Sequence, residues 1–303
     1  MGLLSMRPDR FTPAVVDFGR QKEWRWLIAI AFYFGGLGAG AFLVSLYFEF
    51  TVGMIVGYLV VAILKGGAHL SYLGHPLRVW RVFITCPTSW ISRGLFFVVG
   101  FLLFGLLYLT AHFDLPLVSL WQKGTWLGEA VKVLTILFAL AVMTYSGFAM
   151  AYSPAIPFWN TSLLPLLFLI YSFLGGTSLI LFISHRAVIP TLEVRALERL
   201  EIGLMFLVIF ALFTYLLTML SSVSGAKESA KILLIGKYAP AFLGGVAFVG
   251  LILPLIIGCH LYFGSPSEEG ANIGLAAAGF MEFVGGFVFR ISLLLTGTYR
   301  PLI

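Results

Sequence analysis

Long apolar runs, broken by short polar stretches rich in glycine, proline and charge, occupy the chain from Trp24 onward. At about 20 apolar residues per bilayer crossing, they predict eight helices, over 24–48, 52–74, 91–110, 127–152, 160–183, 198–221, 238–260 and 271–297. The intervening stretches, GHPLRVWRVFITCP, HFDLPLVSLWQKG, YSPAIPFWN, HRAVIPTLEVRALER, SGAKESAKILLIGK and GSPSEEG, read as loops. None is long enough for a sizeable water-soluble domain. The glycine-rich GGLGAGA at 35–41 lies inside the first run. Small residues there let helices approach closely in lipid, where packing rather than hydrophobicity drives association. With no strand before it, the same segment is not a nucleotide-binding loop.

Composition places the whole chain in the membrane. Of its 303 residues 60% are hydrophobic and only 11% charged, with mean hydropathy +1.01; soluble domains are about half apolar and a quarter charged. The net charge of +6 therefore reflects membrane topology or an acidic partner rather than nucleic acid. Cys86 and Cys259 cannot supply the four thiolates of an iron–sulfur cluster. MGLLSM opens like a myristoylation signal but has Met6 where Ser or Thr is required. The first apolar run is too long for a signal-peptide core.

Eight crossings put both termini on one side. Arg7, Arg10, Arg20, Lys22, Arg25, Arg78, Arg81, Arg93, Lys227, Lys231, Lys237 and Arg300 fall there, against Lys123, Lys132, Arg186, Arg195 and Arg199 opposite. The positive-inside rule then predicts cytoplasmic termini and a cytoplasmic (inner) membrane.

Ionisable groups inside a span each cost about 2.5–3.5 kcal/mol or more and mark functional positions by default. Glu49, Lys65, His69, Glu129, Lys132, Glu282 and Arg290 are such groups. Lys65, His69 and Tyr72, at i, i+4 and i+7, share one helix face. Glu282 and Arg290, eight apart, share a face without touching, so each needs a partner on another helix. Glu129, Glu282 and Arg290 are the proton-path candidates. A two-histidine haem is not expected: His112, His185 and His260 lie at the span ends opposite the termini, and His69 and His75 lie together at the other side. Beyond the second span, Arg78, Trp80 and Arg81 sit at the interface, suited to headgroups or a docking partner. Trp26, near the start of the first span, is a candidate wall for a ligand. No metal-ligating set is read.

Five segments in order, FGGLGAGAFLVS, LGHPLRVWRVF, PTSWISRG, YSGFAMAYSPAIPFWNTSLLPLLFL and FVGGFVFRI, resemble the NrfD-like polysulfide-reductase membrane-anchor family over nearly the whole chain. The resemblance implies two four-helix bundles, here 24–152 and 153–303, after a basic segment at 1–23. It implies a haem-free subunit that binds a quinone (menaquinone or ubiquinone). The partners implied are a ferredoxin-like [4Fe–4S] subunit and a molybdopterin-type catalytic subunit. A fourth-helix tyrosine contributes to the family's quinone site; by the motif TYSG it is Tyr145. Some members carry Asn and His early in the first helix, where Ile28 and Ala31 stand here. His75 replaces a common arginine and Trp90 a usual proline. The expected quinone ligands are accordingly Tyr145, His69, Tyr72 and Trp26, with His69 and Lys65 as the groups that move protons and Arg78, Trp80 and Arg81 as the partner-docking set. Competing readings are a proton channel or transporter of the same fold, and a structural anchor without quinone chemistry.

Overall fold

The computed structural model describes residues 19–72, 80, 84, 89–111, 121–184, 191–264 and 268–299. Nine helices can be followed end to end among them. They are α1 Trp26–Tyr47, α2 Thr51–Tyr72, α3 Trp90–Thr110, α4 Trp126–Ala151, α5 Leu163–Ser184, α6 Thr191–Leu220, α7 Ser224–Leu234, α8 Pro240–Phe263 and α9 Glu268–Thr296. All except α7 are long and apolar enough to cross a bilayer. No strand occurs among the described residues; Arg20 and Thr298 form one isolated bridge. The chain is an all-α, multi-pass membrane protein.

Side chains cap the starts of α3 and α4. Ser89 accepts a hydrogen bond from the Ser92 N–H at 3.4 Å and Thr125 from the Gly128 N–H at 3.0 Å, satisfying donors that a helix N-terminus leaves open. Two crossings also contain π-helical segments, Val60–Lys65 in α2 and Pro240–Ile252 in α8. A π segment inserts an extra residue into a turn and rotates the residues beyond it, and such segments concentrate at functional sites. In α2 the segment ends on Lys65.

α1 is the central helix. Of its apolar stretch 83% is buried, against 28% for α3 and for α6, which face lipid. Its glycines explain the enclosure. A methyl group at Gly38 would lie 2.6 Å from the Gly57 carbonyl oxygen of α2, and one at Gly40 would collide with the Ser172 carbonyl of α5. α1 is thus common to both halves of the chain, since it closes on α5 as tightly as on α2.

The stretch SGAKESAKILLIGK, expected to be a loop, holds the amphipathic helix α7: Ala226, Ser229, Ala230 and Leu233 are buried while Lys227 and Lys231 face out. Small residues on the inner face kept its apolar signal low. α6 starts at Thr191, seven residues before the expected 198; the charged positions Arg195, Glu198 and Arg199, read as loop, are helical, and Glu198 and Glu201 are buried. The fourth-to-fifth junction is a plug rather than a surface loop. Ile156, Phe158 and Trp159 are buried; the Trp159 Nε1–H donates to the Leu293 carbonyl at 2.9 Å, and the Tyr215 hydroxyl donates to the Phe158 carbonyl at 2.6 Å. Beside it, Gln21 ties the segment before α1 to the end of α9, its Nε2 donating to the Leu294 carbonyl at 2.8 Å and its backbone N–H to the Gly297 carbonyl at 3.0 Å.

Candidate functional site

Where the π segment of α2 ends, Lys65 turns inward and is wholly buried. Its stem lies against α1 at Gly35, where a methyl group would come within 2.8 Å of both Cδ and Nζ; glycine is what makes room for it. The ammonium donates to the Tyr145 hydroxyl of α4 at 2.5 Å and to the Ala31 carbonyl of α1 at 3.3 Å. It also sits 4.5 Å from the centre of the Tyr145 ring, in cation–π range. The Tyr145 hydroxyl in turn lies 3.4 Å from His69 Nε2. Three chemistry-bearing groups from two helices therefore meet at one hydroxyl. Lys65 makes no ion pair among the described residues, an unusual state for a buried cation, which is normally paired.

Tyr145 is fixed on every side. Its ring packs against Gly94 of α3, where any Cβ would strike it, and Phe32 of α1 meets it edge-on at 6.0 Å and 88°. Phe32 continues to Trp24 (5.8 Å, 85°), which stacks on Trp159 (5.7 Å, 22°). This aromatic column rises from the site to a cavity of about 470 Å³ lined by Gln21, Trp24, Trp90, Ala149, Tyr152 and Trp159 among others. Ala149 is one helical turn from Tyr145. A second cavity, of about 440 Å³ and lined by apolar side chains and Tyr33, runs along α1 and α2 past Ile30, Phe34, Val60 and Leu64. Neither cavity is lined by Lys65 or Tyr145 themselves.

The other expected ligands are not brought into this cluster. Tyr72 is 44% exposed in the last turn of α2, about 10 Å along the axis from Lys65, too far along the helix to join the cluster. Trp26 is 56% exposed and packs on Phe287 of α9 (6.0 Å), so the aromatic wall is Phe32 and Trp24 instead. Glu129 is exposed in the first turn of α4, where a carboxylate favours the helix dipole, 16 residues or roughly 24 Å from Tyr145. Trp80 is exposed; Arg78 and Arg81 lie outside the described residues, as do His75, Cys86, His112 and His185.

A family model for the NrfD polysulphide reductases matches residues 17–301. The chain belongs to the NrfD polysulphide reductase family. It is 26% identical to the C chain of the polysulfide reductase of Wolinella succinogenes over 283 residues, covering 82% of this protein and 86% of that one. It is 27% identical to protein NrfD of Escherichia coli over 307 residues, covering 90% and 94%.

This member of the NrfD family has a second buried polar group on the far side of α1. Gly36, next to the glycine that faces Lys65, faces Ser172 of α5 and Arg290 of α9: a methyl there would lie 3.9 Å from Arg290 Nη2. Arg290 stacks 3.7 Å over the Phe168 ring and donates from Nη2 to the Phe168 carbonyl at 3.4 Å. Its Nε and Nη1, like the Tyr33 and Tyr171 hydroxyls, find no hydrogen-bond partner among the described residues. One Glu282 oxygen accepts from the Ser178 hydroxyl of α5. Glu282 and Arg290 thus each find a partner on α5. Glu201, Ser178, Tyr33 and Tyr171 are the polar groups that sequence reasoning passed over. The legible signal was the pair Glu198 and Glu201 one turn apart, beside the apolar run that begins at Ile202.

Proposed function

We propose that this protein is the quinone-reactive membrane subunit of a multi-subunit oxidoreductase, exchanging electrons between membrane menaquinone or ubiquinone and a ferredoxin-like [4Fe–4S] subunit of a molybdopterin-type enzyme. The observation that carries the reading is the meeting of Lys65, Tyr145 and His69 at a single hydroxyl, on helices that end toward the joined termini. The names of the two relatives and the family support it.

The donor set fits a quinone. Reducing one takes two electrons, here from the iron–sulfur partner, and two protons; the ring presents two carbonyl oxygens that need hydrogen-bond donors. The Tyr145 O–H donates to one oxygen, and the hydroxyl's present partner, Lys65, holds it from behind. His69, whose Nε2 lies 3.4 Å from the Tyr145 hydroxyl, donates to or protonates the other. The Lys65 ammonium resupplies the proton through Tyr145, at 2.5 Å. General acid–base transfer requires this kind of reach, about 2.6–3.2 Å or one water. The aromatic column of Phe32 and Trp24 keeps bulk water from the site, and the apolar groove along Ile30, Phe34 and Leu64 suits an isoprenoid tail. Arg78, Trp80 and Arg81 dock the partner, and the termini face the cytoplasm.

The test is the complex purified with its partners. Tyr145→Phe and His69→Ala should each lower quinone-coupled turnover while assembly and artificial-dye activity of the catalytic partner persist. Normal quinone turnover in both variants rejects the site. Absence of extractable quinone together with intact assembly favours the structural-anchor reading.

A further inference from the structure

We propose that Glu201 of α6 and Glu282 of α9 form a carboxyl pair that shares one exchangeable proton, filled from the face opposite the termini by way of Glu198. The pair is a proton-binding site separated from Lys65 and Tyr145 by α1, and it does not depend on the quinone reading.

The two carboxyls come from different helices and meet beside Ser178 of α5: one Glu282 oxygen is hydrogen-bonded to that hydroxyl, and Glu201 lies close enough to interact with both Ser178 and Glu282. Glu201 is 2% and Glu282 4% exposed. Two carboxylates this close in a low-dielectric interior cannot both ionise, so one proton is held between them. No arginine or lysine pairs with either among the described residues. The titratable groups that interact with them are Glu198 on α6, Tyr33 on α1 and Tyr171 on α5; the two tyrosines also interact with Arg290 on α9.

Access is asymmetric. Glu198 lies one turn from Glu201 toward the start of α6 and interacts with Arg195, which leads out of the bilayer on the face opposite the termini. Inward, the orphaned Tyr33 hydroxyl of α1 lies within electrostatic range of Arg290 and Glu282, its ring against Gly286. Next to it a cavity of about 10 Å³, lined by Tyr33, Tyr171, Ser172 and Arg290, has room for one water. From Glu282 to Arg290 this polar line covers about 12 Å of depth. Arg290, a buried cation with no counter-ion among the described residues, bars a proton from passing beyond that point, so the pair is loaded and emptied from the Glu198 side.

Infrared spectroscopy of the purified complex tests this. The wild type should show a protonated-carboxyl C=O band that shifts in D₂O and is absent from the Glu201→Gln/Glu282→Gln double variant. No such band in the wild type, or its persistence in the double variant, overturns the pair. If the glutamine variants do not assemble, Glu201→Asp keeps the carboxyl and must move the band; an unmoved band is equally fatal. Glu198→Gln should slow deuterium exchange of the band several-fold, and an unchanged rate overturns the access route. A sodium-dependent rise in melting temperature without the band would mean a bound cation in place of the proton, and would also refute the proposal.

Discussion

Replacing Lys65 by methionine separates what the buried cation does from what it stabilises. Methionine follows nearly the same stem through the slot at Gly35 and removes the ammonium, charge and donors together. Lost are the hydrogen bond to Tyr145 at 2.5 Å and the longer one to the Ala31 carbonyl at 3.3 Å; the short one, to a charged donor, is worth about 1.5–3 kcal/mol. Gained is relief from holding a lysine inside the bilayer, about 2.5–3.5 kcal/mol on the insertion scale. The two nearly cancel, so Lys65→Met should fold and assemble with a melting temperature close to wild type. Tyr145→Phe instead leaves the ammonium buried with only the Ala31 carbonyl, and should cost about 1.5–3 kcal/mol. The double variant should recover most of that loss, a non-additivity expected of groups in direct contact. Quinone-coupled turnover should fall in all three, with artificial-dye activity of the partner retained. The reasoning fails if Lys65→Met melts well below Tyr145→Phe, or if it turns over quinone at the wild-type rate.

Gly94→Ala, unlike Lys65→Met, should lose stability together with activity. Its methyl strikes the Tyr145 ring, overpacking costs about 1–3 kcal/mol, and both melting temperature and quinone turnover should drop; an unaffected variant would mean that the ring is free to move. A phosphatase reporter fused at Ile303 should be silent, in line with cytoplasmic termini; phosphatase activity would show that the basic residues mark an acidic partner instead of the cytoplasm.

The eight crossings were legible because lipid demands about 20 apolar residues with every backbone group bonded within the helix, and that demand is written locally. Expected and observed ends agree within three residues for seven of the eight. Lys65, His69 and Tyr145 were nameable for related reasons: ionisable groups in a span stand out against their surroundings, and a motif singled out the tyrosine. What the sequence alone could not give was which groups meet. The inward turn of Lys65 depends on a π segment that no periodicity announces. Its slot depends on Gly35 of another helix, and Tyr72, expected on the same face, is left outside the cluster about two turns further along α2. The start of α6 was misplaced because its charged first turns, with Arg195 and Arg199 around Glu198, read alone as loop, and the buried pair Glu198 and Glu201 was passed over. Only the approach of α5 and α9, bringing Ser178 and Glu282, makes burying them tolerable. A span is decided by the solvent around one helix; a site is decided by side chains from several helices sharing a volume, and that volume exists only after packing.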